Sequence, residues 1–179
     1  MNIKNPVESL HQNIDQFFEK TFAKYPEKIK CRINCTQCCH VDLSISQVEV
    51  VRIQDWFGSL NEEQKNKFKL QWQIKQPLGK SYTSNETKPC AFLYDGGCTI
   101  YEARPTICRS HGLALMRSEN ETTKSIDACE LNFQSELPPV EDCLDLDRLN
   151  SLLAVANKVM KFDDKRTRLK KLKELLLNQ

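Results

Sequence analysis

Cysteine placement constrains this chain more than any other feature. Nine cysteines are spread over 179 residues, and four of them fall between Cys31 and Cys39 in "CRINCTQCCH", two being adjacent. Cys90, Cys98 and Cys108 make a second block, followed by Cys129 and Cys143. An odd count argues against a framework built only of disulfides. With 40% hydrophobic and 28% charged residues, the chain has enough apolar matter for a modest core and needs no staples. The opening "MNIKNPVESLHQNIDQFFEK" is polar with scattered apolar residues, unlike a signal peptide, so the expected compartment is the reducing cytoplasm. Thiols grouped in such a compartment point to a metal centre.

A thiolate is a soft ligand that suits zinc, copper(I) or an iron–sulfur centre. Close pairs on a turn let two sulfurs reach one ion, at about 2.3 Å each for zinc. The first block reads C-x3-C-x2-C-C and the second C-x7-C-x9-C. Cys35 and Cys38 have chelate spacing. Neighbouring side chains tend to point apart, so Cys38 and Cys39 are expected to divide, one as ligand and one as core thiol, or to serve different centres. A tetrahedral zinc and a four-iron cluster each take four cysteines. The count therefore fits one centre with spare thiols or two centres.

The order C-x3-C-x2-C-C, then "CAFL", then "CTIYEARPTICR" and a later cysteine resembles the zinc- or iron-chelating cysteine-cluster family known by its CxxCxxCC pattern. The resemblance spans about residues 31–131. It implies a small cytoplasmic domain that binds zinc or iron, the iron alone or as an iron–sulfur cluster. Carried over position by position, its ligands are Cys31, Cys35, Cys38, Cys39, Cys90, Cys98, Cys108 and Cys129. This chain departs from the pattern with three residues between Cys31 and Cys35 and no glycine before the paired cysteines. Cys143 lies outside the pattern and reads as a buried thiol.

Around the cysteines, four thiolates on zinc carry a net charge of about −2. Arg104, Arg109 and Lys88 could offset it, and Arg104 equally suits tethering a turn through carbonyls. Tyr101 reads as core, and Pro105 ends the short turn before it. His40 and His111 are nitrogen donors in reach of the blocks but read as bystanders.

Apolar spacing predicts a mainly α fold: a small helical domain with irregular cysteine-rich metal-binding loops and one short β-hairpin. Val7, Leu10, Ile14, Phe17, Phe18, Phe22 and Tyr25 line a helix over 6–25, stopped by Pro26. A second helix runs from a Ser44 or Ser46 cap to Gly58. A third is started by Ser59 and Glu62 and runs to about Ile74, although Phe68, Leu70, Trp72 and Ile74 would also suit a strand. Residues 76–90 read as loop. A hairpin turns around Glu119, Asn120 and Glu121. Leu144, Leu149, Leu152, Leu153, Ala156, Val159 and Met160 mark a helix. A last one, capped by Asp163 or Asp164, puts Leu169, Leu172, Leu175 and Leu176 on one face. Trp56, Phe57, Phe68 and Trp72 read as core. The expected organisation is an N-terminal helix (1–30), a cysteine-cluster domain (31–135) and a C-terminal helical extension packed on it (136–179).

The expected function is metal binding through cysteine thiolates. The alternatives are a redox or protein-modifying enzyme using that centre, or an adaptor with a structural zinc. Neither Ser-His-Asp, Walker, Rossmann nor HExxH patterns occur. A net charge of +2 gives no reason to expect nucleic acid, and no stretch has the apolar length of a membrane span. The basic run "KRTRLKKLKELLL" reads as the solvated face of an amphipathic helix. The partners expected are a metal ion or cluster, and a protein.

Overall fold

Periodic apolar residues become helices, and the short cysteine-bearing stretches become turns and two-residue strands. A computed structural model describes residues 5–31, 35–75, 79–81, 84–87, 89–120 and 122–179. Lys88 lies outside them. In chain order the elements are α1 (Val7–Lys24), β1 (Ser44–Ile45), α2 (Gln47–Ser59), α3 (Glu62–Gln73), β2 (Gly79–Ser81), β3 (Ser84–Thr87), β4 (Leu93–Tyr94) and β5 (Gly97–Cys98). There follow α4 (Thr106–Ser110), β6 (Leu115–Ser118), β7 (Lys124–Asp127), β8 (Leu144–Asp145), α5 (Leu146–Val159), β9 (Thr167–Arg168) and α6 (Leu169–Leu177). Single 3-10 turns cover Gln37–Cys39, Tyr101–Ala103 and Val140–Asp142. The mainly helical expectation holds among the described residues, and α4 is the helix the apolar pattern did not reveal.

The chain divides into two compact units, each built from two segments. One takes Met1–Arg32 and Pro105–Phe162; the other takes Ile33–Arg104 and Asp163–Gln179.

In the first unit α1 buries Val7, Leu10 and Ile14. The expected hairpin forms: β6 pairs antiparallel with β7 and, on its other side, parallel with β8. Leu144 belongs to β8, not to the helix expected there. α5 begins at Asp145, whose side chain accepts the Arg148 N–H at 2.9 Å. Ile29, Ala114, Met116, Phe133 and Cys143 form a buried cluster flanked by Phe18, Phe22 and Tyr25. Between α1 and α4, His11 Nε2 lies 3.0 Å from Thr106 Oγ1, and Arg109 holds Asp15 at 2.5 Å.

In the second unit Ser46 starts α2, its N–H and hydroxyl both directed at the Glu49 carboxylate, 3.0 and 2.8 Å away. For α3 the cap is Asn61, not Ser59: Asn61 Oδ1 accepts from Gln64 N–H at 2.9 Å, and Gln64 Oε1 accepts from Asn61 N–H at 3.2 Å. Within the stretch expected to be loop, β2 and β3 pair antiparallel. The Asp163 cap is also corrected. Asp163 accepts the Lys165 N–H in a turn, whereas α6 starts after β9, which pairs antiparallel with β1. Its buried face is Leu169, Leu172 and Leu176, and Leu175 is exposed. These leucines meet Ile53, Phe57, Trp72, Phe92 and Ile100 in the core. The expected aromatic core forms, with Trp72 ring to ring against Phe57, Phe68 and Phe92. Part of the basic run is engaged here: Arg168 pairs with Asp42 at 2.7 Å, and Lys173 donates to the Trp72 carbonyl at 3.0 Å.

Candidate metal centre

Cys38 and Cys39 sit on one 3-10 turn, Gln37–Cys39, closed by the Cys39 N–H donating to Thr36 O at 2.8 Å. Such a turn rotates each residue by about 120°, not the half-turn of a strand. The two thiols do not point apart as expected. They hydrogen-bond to one another.

The second block approaches this turn through its backbone. The Cys90 N–H donates to the Cys39 carbonyl at 2.6 Å. Cys98 lies on the antiparallel partner of β4, with Leu93 facing Cys98 and Tyr94 facing Gly97. The loop between is Asp95-Gly96, and both have positive φ, 46° and 70°. Two such residues in succession suit the tight hairpin turn, and an Asp-Gly pair adopts it readily. The hairpin is anchored to the core at Thr99. Its hydroxyl accepts from Trp72 Nε1 at 2.7 Å and donates to the Phe92 carbonyl at 2.9 Å.

The sulfurs of Cys90 and Cys98 each also receive a backbone N–H. The Phe92 amide favours the Cys90 thiolate and the Ile100 amide favours the Cys98 thiolate, in each case two residues onward. Burial acts the other way and dominates. It pushes Cys90 up and Cys98 up to about 11, with the Arg104 cation drawing Cys98 partly back. Cys39 is pushed far above the ordinary thiol value, first by its hydrogen bond to Cys38, then by burial, then by the charges of Cys38, Cys90 and Cys98. The sulfurs of Cys38, Cys90 and Cys98 thus disfavour ionisation of Cys39, and Cys38 disfavours that of Cys90 and Cys98. A cation bound among them would reverse that balance, because coordination deprotonates a thiol outright.

This donor set fits a thiophilic metal in its chemistry. Among the described residues, no group of three or more His, Cys, Asp or Glu side chains forms a ready metal-holding cluster. The thiols gather without closing on a common point.

The other candidates fall as follows. Cys35 is half-buried in the same unit, three residues before Cys38. Cys31, Cys108 and Cys129 belong to the other unit and are half-buried. Cys143 is buried as expected, 7% exposed, with its thiol 3.4 Å from the Pro139 carbonyl. His40 follows the Cys38-Cys39 turn, and His111 ends α4. Tyr101 is not core: it is 39% exposed, and Arg104 stacks over its ring at 3.9 Å. Sequence reasoning missed Thr99 and the buried His11. The signal for His11 was its position beside Leu10 on the apolar side of α1.

The comparison with family models agrees with the cysteine order. The family described as "Putative zinc- or iron-chelating domain", with the signature CxxCxxCC, matches residues 30–130. The chain belongs to the CxxCxxCC family. Neither a curated protein nor a solved structure matches it. The CxxCxxCC match takes in Cys31 through Cys129 and leaves Cys143 outside. It covers parts of both units, so the cysteines of this CxxCxxCC domain are shared between them. Among the described residues, no helix is long and apolar enough to cross a membrane.

Proposed function

We propose that the chain chelates zinc or iron through Cys38, Cys39, Cys90 and Cys98. The observation that carries this reading is the direct bond between the blocks, Cys90 N–H to Cys39 O at 2.6 Å, with the Cys39 thiol feeling the sulfurs of Cys38, Cys90 and Cys98. Backbone amides aimed at the sulfurs of Cys90 and Cys98 support it further, since hydrogen bonds to ligating sulfurs hold them in place and tune a thiolate centre. Bound metal would supply positive charge to a site that otherwise keeps its thiols protonated, and would tie two-residue strands that hold little stability alone. Cys35 is a fifth thiol in the same unit and stands outside the proposed set. The centre belongs in a reducing compartment such as the cytoplasm, where thiols persist.

The test is purification without oxygen, followed by metal analysis and a visible spectrum. Zinc with no colour, or iron with sulfide and broad absorbance, supports chelation. Removing the metal with a chelator should lower the melting temperature, because the site's binding free energy is folding free energy. A chain that carries no zinc or iron, and takes up neither after reduction, overturns the reading.

A further inference from the structure

A cavity of about 340 Å³ opens between α1 and α5, inside the unit formed by Met1–Arg32 and Pro105–Phe162. That is the small end of the range for ligand pockets, about 300–1,000 Å³. Most of its lining is apolar. Ile14, Leu149 and Cys143 are buried there, Phe17 is half-buried, and Leu152 stays 45% exposed, so apolar surface faces solvent. None of these residues belongs to the set proposed to hold metal, and Cys143 lies outside the family match.

Three polar side chains share the lining: Asn13 on α1, Asp145 at the cap of α5 and Arg148 on its first turn. Asp145 Oδ1 accepts the Arg148 N–H at 2.9 Å. Among the described residues, Asp145 Oδ2, the Arg148 guanidinium and the Asn13 amide take no further protein partner. Residues three apart on a helix are neighbours. The cavity is thus bordered by a carboxylate and a guanidinium set side by side and not joined to one another. An apolar acid placed there would meet Asp145, and an apolar amine would meet Arg148. A ligand carrying both charges on one carbon meets neither penalty.

We propose that this cavity binds a free apolar α-amino acid of about leucine's size. Arg148 takes the α-carboxylate through its planar fork of donors, and Asp145 takes the α-ammonium. The Asn13 amide, which both donates and accepts, serves either group. The apolar side chain lies against Ile14, Phe17, Leu149 and Leu152, and its burial supplies most of the affinity. The proposal goes beyond metal chelation and does not depend on it.

The test is calorimetric titration of the full, reduced chain with leucine, alanine, isocaproate and isoamylamine. Isocaproate is leucine without its ammonium, and isoamylamine is leucine without its carboxylate. Leucine should bind. Alanine is three carbons shorter and should bind about fiftyfold more weakly, at about fourfold for each buried carbon. Isocaproate and isoamylamine should each lose about fivefold, the size of one partly exposed ion pair. Asp145→Asn removes the charge but keeps a side chain that caps helices equally well. It should weaken leucine about fivefold and leave isocaproate no weaker. Arg148→Gln, at an exposed position, should weaken leucine by a similar factor and spare isoamylamine. No leucine binding to the wild-type chain overturns the proposal. So does alanine or isocaproate binding as tightly as leucine, or leucine affinity that both substitutions leave unchanged.

Discussion

The amide of Cys90 and the carbonyl of Cys39 are 2.6 Å apart, although about fifty residues of chain separate them. This contact fixes where the second cysteine block begins relative to the end of the first. A thiol site assembled from distant segments carries a loop-closure cost that grows slowly with length. Here the cost is offset by the hydrophobic core around Trp72 and Phe92, against which Cys90 and Cys98 pack.

The Cys38-Cys39 pair gives the sharpest prediction about the centre. Their thiols hydrogen-bond to one another on a 3-10 turn, and the proposed centre takes both. Serine in place of a ligand exchanges a soft thiolate for a hydroxyl that stays protonated near neutral pH. Cys38→Ser and Cys39→Ser should therefore each purify with much less metal than wild type, measured per chain. Cys143→Ser should keep its full complement and cost about 1 kcal/mol of stability. Full metal in both pair variants would remove the turn from the centre.

Thr99 is the link between core and hairpin. Thr99→Val keeps shape but leaves Trp72 Nε1 without its 2.7 Å acceptor and removes the donor to the Phe92 carbonyl. An unsatisfied buried donor costs about 1–3 kcal/mol. Chemical denaturation of metal-free protein should show a loss of that size. Because Cys90 and Cys98 flank this hairpin, metal affinity should fall in the same variant.

Much of this was legible in the sequence, for physical reasons that differ by region. α1 carries a 3.6-residue apolar period and a stopping proline, so its limits could be read directly. The β6–β7 hairpin announced itself by two β-prone runs around a polar turn. The cysteine order alone marked the family. Other features depend on contacts between distant residues, which periodicity does not carry. Asn61 outcompeted Ser59 as a cap because Gln64 reciprocates its bond. Leu144 was drawn into β8 by pairing with Leu115 rather than into the helix that follows. The direction of the Cys38 and Cys39 thiols was misread because the rule for neighbouring side chains assumes extended backbone, and the turn is helical. Spacing could not assign Cys31, Cys108 and Cys129 to a different unit from Cys38, since the division cuts through the family pattern itself.

The last prediction concerns Asp142, where one carboxylate accepts from both Lys24 Nζ and Tyr25 Oη at 2.5 Å. The hydrogen bond from Lys24, and then that from Tyr25, holds the Asp142 carboxyl below its ordinary value of 3.8. A group with a depressed folded pKa contributes stability that is present above its unfolded value and lost as pH falls through the folded one. The stabilisation by Asp142 should thus be complete at neutral pH and fade below pH 3.8. The partners respond at the other end. The Asp142 bond raises Tyr25 above 10.0 and Lys24 above 10.5, so their contribution holds below those values and is lost as pH rises past the raised ones. Asp142→Asn abolishes both limbs. Urea midpoints for wild type and D142N, measured across pH, should differ by a constant amount near neutrality and converge at both extremes. A gap that persists undiminished well below pH 3.8 would show that the Asp142 side chain stabilises the unit by something other than its charge.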